Sequence, residues 1–321
     1  MPDPIPGIHH ITAIATDAQQ NVDFYAGVLG LRLVKQTVNF DDPGTYHLYF
    51  GDSKGTPGTI LTFFPWSHVQ RGRRGTGQAT TISFAVPVDS FGFWIERLTR
   101  HSVEYEKPTR RFDEPVIAFH DWDGLGLEFV GVSGVENKPA WESNGVTGKQ
   151  AIRAFHSVTM CQDGMEKTAA LLTDTMGAKK LKEEGSYFRY TFGDGEEGTN
   201  VDLHCTPEFL PGVVAGGSVH HVAWRVRNDA AQLEWQKKVR EAGLNVTPVL
   251  DRQYFKSIYF REPGGVLFEI ATDPPGFARD EPEDALGQVL KLPPWLEKYR
   301  SEIEGELPKL HHPNFALESQ P

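Results

Sequence analysis

The feature that most constrains the fold is a strand–helix–strand pattern that occurs four times along the chain. Each copy begins with a strand-like stretch, and these stretches lie at residues 9–15, 80–86, 155–160 and 220–226. An amphipathic helix pattern follows each of them, at residues 17–29, 91–100, 165–176 and 230–242. Further strands complete each copy, so the repeated unit has the order βαβββ. A repeat of this kind constrains the architecture more strongly than any single residue does.

One βαβββ unit has too short a helix and too small a sheet to bury a core alone. The predicted fold class is therefore α+β, with four βαβββ units paired into two domains of curved mixed sheets that enclose a cavity. The predicted domains are residues 1–135 and 150–275, with the boundary in the polar, Gly-rich stretch 131–149. Residues 276–321 form a C-terminal tail, in which Pro293-Pro294-Trp295 predicts the start of a short helix.

Composition narrows the classes of partner. The net charge of −11 argues against nucleic acid, because binding to phosphates requires a basic face. The N-terminal residues carry no signal-peptide pattern, and no apolar run approaches the roughly 18 residues that a membrane span needs. Two cysteines, Cys161 and Cys205, are too few for a disulfide framework. These features predict a soluble, cytoplasmic protein with neither a nucleic acid nor a membrane as partner.

The alternation of side chains along a strand predicts which residues face the cavity. In the first strand His10 and Thr12 share a face, and His221 and Glu269 hold corresponding positions in two strands of the fourth unit. The opposite faces are uniformly apolar and should pack against the helices. Their residues are Ile11, Ala13 and Ala15, then Val222, Trp224 and Val226, and finally Val266, Phe268 and Ile270.

Three inward side chains, His10, His221 and Glu269, therefore form a candidate metal site. Two imidazoles and one carboxylate are the ligand set of mononuclear iron(II) oxygenases, in which open positions remain for substrate and O2. A single strand histidine is more often an ordinary buried or surface residue than a ligand. The joint occurrence of such residues at equivalent positions of a repeat favours metal ligation, and the ligand set suits Fe(II), although Mn(II) accepts the same ligands.

His156 is the competing ligand, because it occupies the same position in the third unit as His10 does in the first. The neighbours of His156 on its face, Val158 and Met160, would supply an apolar wall, whereas His10 is accompanied by Thr12. We therefore favour His10, with His156 as the open alternative. The second and third units together lack a complete ligand set and are predicted to be a scaffold.

The motifs at the two ends of the repeat resemble those of the vicinal oxygen chelate superfamily, which includes glyoxalases, extradiol dioxygenases and fosfomycin-resistance proteins. Within it the chain is most similar to dioxygenases that cleave hydroquinone rings, and the resemblance covers nearly the whole length. The motifs are Gly7-Ile8-His9-His10-Ile11-Thr12, Tyr46-His47-Leu48-Tyr49-Phe50, Gly55-Thr56-Pro57-Gly58-Thr59, Pro263-Gly264-Gly265-Val266-Leu267-Phe268-Glu269 and Leu286-Gly287.

The resemblance implies metal ligation at the positions that match His10, His221 and Glu269. It also implies catalytic roles beside the metal for four further residues, which are Tyr259, His9, Arg252 and Thr12. Tyr259 or His9 would handle a proton, and Arg252 would stabilise developing negative charge. The expected activity is that of an Fe(II)-dependent ring-cleaving dioxygenase, which inserts O2 into a hydroquinone-type or catechol-type aromatic beside a metal-bound hydroxyl.

Two other functions are alternatives to ring cleavage. A glyoxalase-type metal-dependent isomerase or lyase usually has two carboxylate ligands, but the first unit has Thr62 at the position that matches Glu269. The second alternative is a non-catalytic protein that binds quinones or an antibiotic. The expected partners of the enzyme are a small aromatic substrate and O2, and exposed sheet edges favour a homo-oligomer.

Overall fold

The computed structural model describes residues 2–193, 195 and 198–313, and it arranges the four repeats as follows. The first unit comprises β1 (Ile8–Ala15), α1 (Ala18–Val22) with the wider π-helical turn Asp23–Val28, β2 (Arg32–Asn39), β3 (Asp42–Gly51) and β4 (Ile60–Pro65). The second comprises β5 (Gln78–Pro87), α2 (Phe91–Arg100), β6 (Thr109–Arg111), β7 (Glu114–His120) and β8 (Gly126–Val132).

The third unit comprises β9 (Ala154–Gln162), α3 (Glu166–Ala170) with the π-helical turn Leu171–Thr175, β10 (Lys179–Glu184), β11 (Tyr187–Thr191) and β12 (Asn200–Cys205). The fourth comprises β13 (Val219–Val226), α4 (Asp229–Glu241), β14 (Leu250–Asp251), β15 (Lys256–Arg261) and β16 (Leu267–Thr272). In the tail, α5 (Arg300–Glu306) follows a short 3-10 turn, Glu297–Tyr299, and so begins later than Pro293-Pro294 indicates. The predicted α+β class with four βαβββ units is confirmed.

Two eight-stranded mixed sheets combine the units in a nested way. Sheet 1 has the order β14-β15-β16-β13-β1-β4-β3-β2, and sheet 2 has the order β10-β11-β12-β9-β5-β8-β7-β6. The antiparallel pair β1–β13 therefore joins the first unit to the fourth, and β5–β9 joins the second to the third. Each sheet thus contains strands from both predicted segments, 1–135 and 150–275. Strand alternation alone does not indicate this pairing, because it fixes the faces of a strand but not its long-range partners. The domain boundaries themselves remain a prediction.

The apolar faces of the strands pack into the main core, as their alternation predicts. Ile11, Trp224 and Phe268 are 0% exposed and belong to one apolar cluster with helix residues such as Trp235. A second, smaller cluster lies on the other face of sheet 1 and includes tail residues. Its members are Val34, Tyr49, Ile60, Ala223, Tyr254, Phe255, Ala271, Phe277 and Leu286.

The tail packs against sheet 1 rather than standing apart from it. Leu290 forms a parallel bridge with Gln36 of β2, and the amide nitrogen of Lys291 donates a hydrogen bond to the carbonyl of Gln36. None of the helices in the described residues is long and apolar enough to cross a membrane. Cys161 and Cys205 are free thiols.

Candidate metal centre

Three neighbouring strands of sheet 1 bring the candidate ligands together. His10 lies on β1, His221 on β13 and Glu269 on β16, and these strands are adjacent in the sheet. Ala223 pairs with both His10 and Glu269, so these two side chains lie in one row across the strands. His221 stands two residues from Ala223 and therefore projects from the same face as the other two.

The three side chains converge on one point. His10 Nε2 lies 3.2 Å from His221 Nε2 and 3.4 Å from Glu269 Oε2, and His221 Nε2 lies 2.9 Å from the same Glu269 oxygen. Each residue therefore places one possible ligand atom within 4.8 Å of those of the other two. All three residues are buried. This geometry suits a single small cation held by two nitrogens and one oxygen.

The carboxylate of Glu269 is fully buried and therefore requires a positive charge nearby. It is 0% exposed, the Ser257 hydroxyl donates a hydrogen bond to Oε1, and Oε2 faces the Nε2 atoms of His10 and His221. Burial acts to raise the pKa of Glu269, but His10 and His221 oppose it and hold that pKa well below the ordinary value. A buried carboxylate whose oxygen lies beside two imidazole nitrogens fits a metal ligand, because an uncompensated buried charge is costly.

Two pairs of adjacent histidines, His9-His10 and His220-His221, are called doublets below. In each doublet the first ring contacts the second in the same way. His9 Nδ1 lies 2.9 Å from His10 Nδ1, and His220 Nδ1 lies 2.7 Å from His221 Nδ1. Burial lowers the pKa of His9 well below its ordinary value and that of His220 to about 3, in each case with help from the neighbouring histidine. His9 and His220 are therefore neutral and can accept a hydrogen bond from the Nδ1–H of the second histidine. The Nε2 lone pairs of His10 and His221 then face the centre.

His156 lies on sheet 2 and does not join His221 and Glu269. Its Nε2 is 3.2 Å from Glu114 Oε1, and its Nδ1 is 3.1 Å from the Ser157 hydroxyl. The structure therefore places His10, and not His156, beside the other two candidate ligands.

Arg252 and Tyr259 line the cavity above the three candidate ligands. The Arg252 guanidinium lies 5.6 Å from the centre of the Tyr259 ring and 3.1 Å from Asp41 Oδ2. Burial and the nearby Glu269 raise the pKa of Tyr259, although Arg252 opposes them, so the phenol stays protonated. The other two predicted residues, His9 and Thr12, are buried, at 2% and 0% exposure.

The cavity has a volume of about 400 Å³, and its walls combine aromatic with polar side chains. A cavity of about 150 Å³ is already large enough for benzene, so a substituted single ring fits here. Its aromatic lining consists of Phe40, Tyr49, Phe64, Trp66, Phe255 and Tyr259. Its polar lining includes Asn39, Asp41, Asp42, His47, His220 and Arg252.

A chain of hydrogen bonds beside the cavity was not predicted. The Tyr49 hydroxyl is 2.8 Å from His47 Nδ1, His47 Nε2 is 2.8 Å from Thr62 Oγ1, and Thr62 Oγ1 is 2.9 Å from Thr12 Oγ1. Burial lowers the pKa of His47 well below its ordinary value, with further lowering by His10 and His221. The alternation of residues 46–50 puts His47 and Tyr49 on one face and could have indicated them. The doublet could likewise have indicated His220.

Comparison with known proteins agrees with this fold. A model of the Glyoxalase/Bleomycin resistance protein/Dioxygenase superfamily matches residues 7–129 and 154–270. A solved structure of a Bacillus subtilis protein, provisionally named a dioxygenase, has a TM-score of 0.93 and 48% identity over 97% of this chain and 99% of that chain. Glyoxalase I from Zea mays has a TM-score of 0.61 over 83% of this chain and 92% of that chain, and its 14% identity supports the fold alone.

Two curated relatives match over most of both chains. A Bacillus subtilis (strain 168) protein provisionally named ring-cleaving dioxygenase MhqO is 50% identical over 94% of this chain and 96% of its own length. The chlorohydroquinone/hydroquinone 1,2-dioxygenase of Sphingobium indicum is 35% identical over 94% of this chain and 96% of its own length. The chain therefore belongs to the Glyoxalase/Bleomycin resistance protein/Dioxygenase superfamily, and within it to the ring-cleaving dioxygenases.

Proposed function

We propose that this chain is an Fe(II)-dependent ring-cleaving dioxygenase that acts on a hydroquinone-type or catechol-type aromatic. The observation that carries the proposal is the convergence of two imidazoles and a buried carboxylate, on His10, His221 and Glu269, at an aromatic-lined cavity. The ring-cleaving and hydroquinone-cleaving activities in the names of the relatives agree with it.

His10 Nε2, His221 Nε2 and a Glu269 oxygen would hold the metal. Bound there, iron(II) would lower the pKa of a substrate hydroxyl and pass electron density between the ring and O2. Mn(II) accepts the same donors and is the alternative metal. The Nδ1 contacts of the two doublets would keep both ligand rings in the tautomer that has a free Nε2, and Ser257 would orient the carboxylate.

The remaining cavity residues would bind the ring and manage charge. Aromatic side chains such as Phe64 and Phe255 offer a slot for a planar substrate. Arg252 would stabilise negative charge on a substrate oxygen, and the protonated Tyr259 would donate a proton or hydrogen bond to it. Beneath this surface, His9 would position His10 through the contact of their Nδ1 atoms, and Thr12 would support His47 through Thr62.

We further propose that the reaction takes place in the cytoplasm, where reducing conditions keep iron(II) and the two free thiols reduced. The partners would be a small aromatic substrate and O2. A glyoxalase-type isomerase is less well supported, because Thr62 stands on β4 where a second carboxylate would be expected, and it bonds to Thr12 instead.

An oxygen electrode provides the test of this function. Protein loaded anaerobically with Fe(II) should consume one O2 per hydroquinone, with loss of the aromatic absorbance. His10→Gln should lower turnover by at least about 100-fold, because even residues that only support metal ligands cost about 10- to 100-fold. The matched control is His156→Gln, which should stay within about threefold of the wild type. Ligand binding without oxygen uptake, or equal losses in both variants, would count against the proposal.

A further inference from the structure

The described part of the C-terminal tail makes three hydrogen bonds to a loop that lines the cavity. We call residues 252–255 the cavity loop and residues 276–281 the clamp segment. The Gly276 amide donates to the Tyr254 carbonyl at 2.9 Å, and Arg279 Nη1 donates to the Gln253 carbonyl at 2.8 Å. The Tyr254 hydroxyl donates to Asp280 Oδ2 at 3.0 Å. The clamp segment thus contacts two residues of the cavity loop through both backbone and side-chain atoms.

A buried lysine anchors the clamp segment to sheet 1. Lys35 on β2 is 0% exposed, and its Nζ lies 2.6 Å from Asp280 Oδ1 and 3.2 Å from the Phe277 carbonyl, with Glu281 Oε2 in close contact. The same ammonium group lies 4.9 Å from the centre of the Tyr254 ring. A fully buried ammonium group needs such partners, so Lys35 holds the clamp segment in this position.

The cavity loop carries two residues that face the metal centre. The Phe255 ring lies 5.1 Å from the His9 ring and 4.9 Å from the His10 ring, measured between ring centres, and Arg252 lines the cavity. Between them Gln253 has a φ of 67°, in the left-handed region that residues other than glycine seldom occupy. Such a conformation persists only where its surroundings hold it, and Arg279 bonds to the carbonyl of this residue.

We propose that the clamp segment positions the cavity loop, so that Phe255 orients the His9–His10 doublet and Arg252 faces the substrate. Lys35, Arg279 and Asp280 are then positioning residues of the centre, which they do not touch. The inference rests on the metal-binding part of the proposed function. It assigns the tail a role in the geometry of the site, beyond covering the sheet.

A second ion pair between tail and body provides a matched control. Lys54 Nζ lies 2.9 Å from Glu283 Oε2, and the two side chains are 61% and 56% exposed. Like Lys35, this lysine belongs to the first unit and pairs with a carboxylate of the tail. Lys54→Met should therefore remove one contact between tail and body while leaving the cavity loop in place.

Hydrogen exchange of the metal-free protein tests the clamp without reference to metal or turnover. Arg279→Met and Tyr254→Phe each remove one contact and should fold, whereas Lys35→Met removes the anchor and is the severe variant. We expect the amides of residues 252–256 to exchange about tenfold faster in the mild variants, because the loop opens locally. Lys54→Met should match the wild type. Unchanged exchange in Arg279→Met and Tyr254→Phe would overturn the proposal.

Cobalt(II) binding then tests the consequence for the centre. Arg279→Met should bind Co(II) about three- to tenfold more weakly in competition with a chelator, and its visible absorption bands should shift, because the ligand geometry changes. A variant that only unfolds at a lower temperature, with wild-type loop exchange and Co(II) spectrum, would show the tail to be merely structural. Absence of Co(II) binding in the wild type would count against the metal centre itself, and the exchange experiment would still decide the clamp.

Discussion

The two histidine doublets place a neutral imidazole behind each candidate ligand. Burial lowers the pKa of His9, His220 and His221 below the ordinary value, so these rings carry no proton charge in the folded protein near neutral pH. In the unfolded chain the same side chains would titrate near pH 6.5. The doublets therefore link the stability of the metal-free protein to pH, through residues that lie at the candidate metal centre.

Acidification below pH 6.5 should destabilise the metal-free protein. In that range the unfolded state binds more protons than the folded state, so stability is fully present above about pH 6.5 and falls as the pH decreases. Each of His9, His220 and His221 can contribute up to about 1.4 kcal/mol for each pH unit below that value. Urea unfolding in the presence of a chelator, at pH 7.5, 6.5 and 5.5, measures the effect. Equal unfolding free energies at pH 7.5 and 5.5 would contradict it.

The candidate ligands could be predicted from the sequence because the evidence for them is local. Alternation along β1, β13 and β16 separates His10, His221 and Glu269 from apolar neighbours on the opposite faces. The contact of Phe255 with the His9–His10 doublet could not be predicted in the same way. It depends on a loop conformation held by the tail, which no periodic pattern records.

At the scale of the sheets, sheet 2 has ion pairs where sheet 1 has the candidate metal ligands. Arg111 makes two hydrogen bonds to Glu128, at 2.9 and 2.6 Å, and Arg189 makes two to Asp202, at 2.6 and 2.7 Å. Arg111 Nε also lies 3.8 Å from Asp202. The guanidinium groups supply the positive charge that a buried carboxylate requires, so Glu128 and Asp202 need no metal to balance their charge.

Replacement of Arg111 should therefore destabilise the fold without affecting the centre in sheet 1. Arg111→Met leaves the buried Glu128 without its main partner, and breaking a buried pair in this way costs about 3–5 kcal/mol. The comparison is Arg100→Met, which removes an exposed pair with Glu96 and should cost less than about 1 kcal/mol. Urea unfolding of both variants gives the difference. A similar small loss in both would contradict the role of Arg111, as would altered metal stoichiometry of folded Arg111→Met.

The repeated unit and its class could be predicted from the sequence, but strand and helix patterns alone do not fix the pairing of units. All four units present similar apolar faces, so local patterns do not distinguish consecutive pairing from the nested pairing of first with fourth and second with third. The preference for His10 over His156 carried this information, since it requires the first and fourth units to meet. In the whole molecule the two junctions, β1–β13 and β5–β9, each connect the two halves of the chain.

Nested pairing predicts that the two halves of the chain depend on each other for folding. Fragments 1–149 and 150–321, expressed separately, would each lack half of both sheets and expose the edges of two central strands, β1 and β5 or β9 and β13. We expect neither fragment alone to unfold cooperatively as a monomer. Mixed during refolding, they should form a one-to-one complex, because each supplies the missing strands of the other.

Metal binding identifies the native pairing in that complex. His10 belongs to one fragment, and His221 and Glu269 belong to the other, so only the pairing of β1 with β13 assembles the three ligands. Size-exclusion chromatography and chelator competition with Co(II) should therefore show one metal per complex and none bound tightly by either fragment. A monomeric fragment 1–149 that unfolds cooperatively would instead mean that its first two units can pair with each other, as consecutive pairing requires.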